Sequence, residues 1–421
     1  MLLCSILCPI TDNRLGVFRV KLSQNGRSQI LALALLLATA SPSLLVSLKA
    51  QFVLKEHPVT ETEIRIGMVN GMSGPNQADE SGIMEGCLAY FKHVNDAGGI
   101  YGRKLTLIAY DDRYEPLETV ALTEHLINAD KVFALLGYRG SATCDAVVSM
   151  VRDADITFLG AFTGTKSLHE PSLSMVYNLR PSLAYEVTGV CDFLIRNLRL
   201  KRIAFFGQAD SLGDNGESGL ADALHSYDLN ITAAARYVRN SVDLEPALDK
   251  IVPAHPEVVV IAATSQVAFD FLAQSKKRGL QNTVFCMLSC VAVERFMKVA
   301  GDGAEGVFWS KLVPSPRDTS LACVRDYQRD MRALGSPIFS HLSFEAYLDA
   351  AVLVAGLERA GKNLSETALK NALDHLDIDL GGFPLRFTGT DHTGSRVIFL
   401  NCIHHGQLEP VRTLSPTAIP Q

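Results

Sequence analysis

The chain has 421 residues, of which 48% are hydrophobic and 20% charged, and a formal net charge of −6. That length is too great for one ordinary core and predicts two domains, while the composition excludes the disordered and fibrous classes. The acidic balance argues against nucleic acid or an anionic membrane as the main partner, and the densest basic run, "KKR" at 276–278, reads as a solvated helix end.

At the N-terminus, Arg14, Arg19, Lys21 and Arg27 precede the apolar run "ILALALLLATA" (30–40), which ends in Ala38-Thr39-Ala40. This is the plan of a secretory signal peptide, with cleavage near Ala40 or Ala50. The apolar run is too short to span a bilayer, and "SPS" breaks it at 41–43. Residues 1–50 are therefore expected to be a leader that directs the protein to export. No cysteine follows the apolar run as a lipid attachment site.

From Glu63 onward, short β-rich runs alternate with amphipathic segments. "IRIGMV" (64–69) predicts a strand, and Ile83, Cys87, Tyr90, Phe91 and Val94 follow at helical spacing until Gly98-Gly99. "LTLIAYDD" (105–112) predicts the next strand, and Pro116 opens a helix. "VFALLG", "ITFLGAF", "RIAFFG", "VVVIAA" and "TVFCML" are further strands, short and continuously apolar. Such strands are buried on both faces, as in parallel sheets covered by helices, so the expected class is α/β and doubly wound. The same grammar occurs before and after "YNLRPSLAYE" (177–186), which predicts two Rossmann-like lobes. "GVFWSKLVPSP" (306–316) reads as a second crossing, followed by helices over 318–334 and 343–360 and by antiparallel strands with turns. The resulting division gives 61–181 with 314–378 to the first lobe, 182–313 with 379–413 to the second, and 414–421 to a tail. The lobes are joined by a multi-stranded hinge. Ligand sites in such sheets lie beyond the carboxyl ends of the strands, here in the cleft between lobes.

The seven cysteines after the leader are scattered, and no disulfide framework is expected of them. Cys286 and Cys290 lack a matching second pair, and His404-His405 reads as a solvated turn, so neither is taken as a metal site.

The strongest site candidate is the loop "GYRGSATC" (137–144) after "VFALL". Gly140 allows close backbone approach, Ser141 and Thr143 present hydroxyls beside Ala142, and a helix start favours an anion. "GAFTGT" (160–165), with Phe162 and Thr163, repeats this character at the next strand end. Asp210, Ser211 and Gly213 in "GQADSLGDNG" (207–216) are placed on the opposing wall, although Asp and Gly also make turns. Tyr138 and Trp309 are the aromatics best placed to pack on a ligand, and they suit a core position equally. Ser289, just past "TVFCML", joins the ligand-binding candidates. Nucleophilic use of Ser141 needs an activating base. The sequence holds no G-x-S-x-G elbow, no phosphate-binding glycine loop and no dinucleotide fingerprint, so no catalytic residue and no cofactor is assigned.

"GMSGPNQADESGIMEGCLAYFKHVNDAGGIYGRKLTLIAYDDRYEP" resembles the opening of the branched-chain-amino-acid type of periplasmic binding protein. The likeness continues in order through "GYRGSAT", "GAFTGT", "NLRPSLAYE", "VPSP", "SFEAYLDAAVLVAGLERAGK" and "DIDLGGFPLRFTGTDHTG". The resemblance implies the type I periplasmic fold and a monomeric substrate-binding subunit of an ABC importer. It further implies a small-molecule ligand, permease and ATPase partners, and no enzymatic activity. It assigns the ligand carboxylate to Ser141 and to Phe162–Thr163. Where the family has a tyrosine before the glycine matching Gly213, this chain has Leu212. Where the family has an acid after "VVVIAA", it has Gln266 and Val267. The ammonium-binding half then looks lost, which points to a carboxylic acid with an apolar or aromatic tail. Tyr185 and Glu186, just past the first crossing, are within reach of a ligand as the lobes close. A sensory module for a membrane signalling partner is the alternative function on the same fold.

Overall fold

The short apolar runs fold as strands of two sheets, and the periodic segments between them as helices packed on those sheets. The structure is a computed structural model that describes residues 59–74 and 77–414. The expected leader at 1–50 and residues 415–421 of the expected tail lie outside the described residues.

The first half holds β1 (Glu63–Asn70), α1 (Gln77–Asp96), β2 (Lys104–Asp111), α2 (Pro116–Asn128), β3 (Ala134–Leu136), α3 (Ser141–Ala154), β4 (Thr157–Leu159) and β5 (Val176–Tyr177). Its five strands are parallel, in the order β2-β1-β3-β4-β5. The second half runs through α4 (Leu183–Arg196), β6 (Ile203–Gln208), α5 (Ser211–His225), β7 (Ala234–Tyr237) and α6 (Glu245–Ile251). It continues with β8 (Val258–Ala262), α7 (Ser265–Lys277), β9 (Val284–Met287), α8 (Val293–Ala300) and β10 (Phe308–Lys311). The chain then returns to the first half as α9 (Ala322–Leu334), α10 (His341–Ala360), α11 (Glu366–Leu373) and the hairpin β11 (Asp377–Asp379) with β12 (Pro384–Arg386). Finally β13 (Ile398–His404) and β14 (Gln407–Leu414) complete a seven-stranded sheet of order β14-β13-β10-β9-β8-β6-β7, antiparallel at β10-β13 and β13-β14.

β3, β4, β6 and β8 are buried along their whole length, as continuous apolar runs in parallel sheets should be. The helix expected over 343–360 begins two residues earlier, because the Ser340 hydroxyl accepts from Ser343 N at 3.1 Å and caps it. That helix is buried on nearly every side and lies against α1. The contact depends on Gly86: a Cβ there would sit 2.1 Å from the Ser343 carbonyl oxygen. Gly86→Ala is therefore expected to destabilise the protein by about 1–3 kcal/mol, read as a lowered urea midpoint at unchanged slope.

Residues 379–395, expected with the second lobe, pack instead with the first sheet, since Phe383, Leu385 and Phe387 lie in the core that holds α1 and α10. The chain joins the second sheet only at β13. Two of the connecting segments are hydrogen-bonded to each other: Asn178 N donates to His392 O (2.9 Å), Gly394 N to Asn178 O (2.8 Å) and Ser395 N to Leu179 O (2.9 Å). Cys87, Cys144, Cys191, Cys286 and Cys323 are buried single thiols, and Cys290 and Cys402 are half-buried.

Candidate functional site

The ends of β3 and β4 bring the two glycine- and hydroxyl-bearing loops together. Gly140 precedes α3 with φ 101°, a conformation that strains any other residue, and a Cβ there would lie 2.6 Å from the Tyr114 ring. Ser141 opens the helix, and its Oγ lies 2.7 Å from Thr163 Oγ1. Thr163 Oγ1 also accepts from Thr165 N at 3.1 Å. Phe162 N donates to Tyr138 O at 2.7 Å, which ties one loop to the other. Two hydroxyls and the free N–H groups of a helix start thus share one wall of a cavity.

The opposite wall comes from the second sheet and from α4. Leu212 and Ala263–Thr264 line it, together with Ser289, Cys290 and Glu186. Glu186 stands in the first turn of α4 and is held by Ser289, whose N–H donates to Oε1 at 2.7 Å and whose hydroxyl donates to Oε2 at 2.8 Å. The Ser310 hydroxyl on β10 also donates to Oε1. Burial pushes the Cys290 thiol up to about 11, with Glu186 adding to the shift.

Between the walls lies Arg180, on the first connecting segment. It forms a bidentate pair with Glu345 of α10, both contacts at 2.8 Å, with its guanidinium 5.2 Å from the centre of the Phe162 ring. One turn further along α10, burial and the Glu345 charge push the Asp349 carboxyl well up, against the pull of Arg180. Behind the second wall, burial brings the Lys311 ammonium down to about 8; it donates to Val291 O at 2.7 Å. The enclosed space is about 20 Å³, room for about one water.

Of the residues expected at the site, Ser141, Phe162, Thr163, Leu212 and Ser289 line this cavity. Tyr138 does not. It is fully buried in the core beneath the loop, edge-on to Phe158 at 5.0 Å, with its hydroxyl 3.0 Å from Thr123 Oγ1. Asp210 is drawn back by its own helix: its carboxylate accepts from Leu212 N (3.0 Å) and from Gln208 Nε2 (2.6 Å) and so caps α5. Gln266 turns its amide to Asp270 one helical turn on, at 3.2 Å, and away from the cavity. Tyr185 packs at the edge of the α4 core, and Ala142 is half-buried on α3; neither lines the cavity. Trp309 is also core, with its Nε1 donating to Val291 O at 3.1 Å. The cavity adds Tyr114, Arg139 and Arg180, which the sequence reading passed over. Arg139 and Arg180 both sit inside the quoted motifs "GYRGSATC" and "NLRPSLAYE", so proximity to those loops was the available signal.

Two α/β halves with a cavity lined by loops from both, beyond their strand ends, define the type I periplasmic binding fold. The chain superimposes on a possible leucine/isoleucine/valine-binding protein from Rhodopirellula baltica with a TM-score of 0.79 and 27% identity, over 85% of this chain and 98% of that one. The profile of the periplasmic binding protein family matches residues 63–403, and the chain belongs to that family. Among its relatives, an amino acid binding protein from Pseudomonas aeruginosa is 25% identical over 52% of this chain and 58% of its own length. A Leu/Ile/Val/Thr-binding protein from Salmonella typhimurium is 21% identical over 61% of this chain and 69% of its own. The family and the fold are those of substrate-binding proteins, not enzymes.

Proposed function

We propose that the protein captures a small carboxylate-bearing solute between its two halves in the periplasm and delivers it to an ABC permease. The observation that carries this reading is the Ser141–Thr163 hydroxyl pair at the start of α3, facing the cavity. Hydroxyls and helix N–H groups supply the donors that a carboxylate accepts. The cavity's small volume supports a mechanism in which an open form admits the solute and contacts to both walls then favour closure. The closed form is the state offered to the permease. The names of the relatives support an amino acid or a related organic acid as the solute class.

Isothermal titration against amino acids and simple organic acids tests the reading. At least one carboxylate is expected to bind, and Ser141→Ala to weaken it roughly tenfold to a hundredfold, the worth of one hydrogen bond to a charged group. Binding of that carboxylate with unchanged affinity in the variant counts against the assigned wall.

A further inference from the structure

The second wall holds a carboxylate where neither the loop after β6 nor the loop after β8 supplies one. Glu186 is 2% exposed and lines the cavity. Its three hydrogen-bond partners, Ser289 N, Ser289 Oγ and Ser310 Oγ, are all neutral. The Arg180 fork is taken up on both nitrogens by Glu345. A carboxylate oxygen accepts about two hydrogen bonds. Oε1 therefore has its two, while Oε2 accepts one from Ser289 and keeps a position open. The three donors and the start of α4 hold this carboxylate, and Arg180 and Lys311, which lie within electrostatic range of it, hydrogen-bond elsewhere, to Glu345 and to Val291 O. The first wall, by contrast, offers hydroxyls and a helix N-terminus, which suit an anion.

We infer that Glu186 sets ligand specificity by accepting an N–H, so that the preferred solute carries a protonated amine as well as a carboxylate. The inference deepens the proposed function and rests on it, because it needs the ligand's carboxylate on Ser141 and Thr163. It also changes what Leu212 implies. The apolar side chain covers the body of the ligand, while the acid comes from α4 and replaces the missing acid near Gln266.

The test uses matched pairs that differ only in the amino group: leucine with 4-methylpentanoate, phenylalanine with 3-phenylpropanoate, and alanine with propanoate. Each is titrated into the mature wild-type protein and into Glu186→Gln. The wild type is expected to prefer the amino acid of the pair it binds by roughly tenfold or more. In the variant that preference should fall to within about threefold, chiefly through loss of amino acid affinity. Equal binding of both members by the wild type overturns the role of Glu186 while leaving carboxylate capture standing. Equal weakening of both members in the variant also overturns it, since that is the mark of a merely structural carboxylate. Should the variant not fold, the wild-type preference alone decides. Failure of every pair to bind removes the carboxylate reading itself, and this inference with it.

Discussion

Glu345→Ala is expected to lower folding stability by about 3–5 kcal/mol, because it strands a buried guanidinium. The side chains of Arg180 and Glu345 are only 4% and 7% exposed, and their two contacts at 2.8 Å have the bidentate geometry that makes such pairs strong. Removing Glu345 leaves the guanidinium buried, without its hydrogen-bonded partner and with only the Glu186 and Asp349 carboxyls in electrostatic range. Asp349 lies close enough to feel both charges, and burial with the Glu345 charge pushes its carboxyl up against the pull of Arg180. With Glu345 gone, the Asp349 carboxyl can offset part of the loss by ionising toward Arg180, so Glu345→Ala/Asp349→Asn should fall further than either single variant. Arg180→Met/Glu345→Leu, which removes both charges, should recover most of the loss. Urea denaturation of the four variants reads these differences, and a cost below about 1 kcal/mol for Glu345→Ala would mean that the pair behaves as a surface pair.

Trp309→Ala should have a comparable effect, about 3–5 kcal/mol, for a different reason. Trp309 is the single tryptophan of the chain and is fully buried, with the Phe296 ring edge-on at 4.8 Å and Lys311 Nζ 5.2 Å from its ring centre. Its Nε1 and the Lys311 ammonium converge on the Val291 carbonyl, two residues past Ser289 of the cavity wall. Alanine leaves a large void and takes away one of those two donors. Trp309→Phe keeps most of the packing and loses the hydrogen bond, so it should retain clearly more stability than alanine. Native emission of the wild type is expected at short wavelength, shifting to the red on denaturation. Equal melting temperatures for the two variants would refute packing as the cause.

The strands were legible because burial on both faces imposes short continuous apolar runs, which glycines and polar residues then end. The first wall was legible too, since glycines and hydroxyls at consecutive strand ends have few structural uses that do not also expose donors. Tyr138 was harder: it adjoins the loop in sequence, yet a shift of one residue along a strand decides whether a side chain faces cleft or core. Asp210 and Gln266 illustrate another limit. Short polar side chains near helix starts satisfy local partners first, and nothing in their own segment reveals that competition. The second wall was legible only in part: Leu212 and Ser289 were expected there and line the cavity, but the cluster that holds Glu186 has no local signature. Glu186, Ser289 and Ser310 meet across separations of 103 and 124 residues, and each is unexceptional in its own element. The same holds for Phe383, Leu385 and Phe387, whose alternation suits either sheet until the core they enter is known.

Some contacts between the halves involve no cavity residue at all. Glu115, at the start of α2, accepts from Arg239 at 3.2 Å and from Asn240 at 2.7 Å, while Asn215 of α5 accepts from Lys166 N at 3.0 Å. If the two halves part to admit the solute, these contacts break and must re-form. They therefore set how often the empty protein rests shut, and apparent affinity scales with the fraction of molecules ready to bind. Sequence change at Glu115, Asn215 or Asn240 can retune scavenging strength against ease of unloading without altering one ligand contact. Selection for a scarcer or more abundant solute would then act on the rim, leaving the recognition chemistry of the pocket untouched.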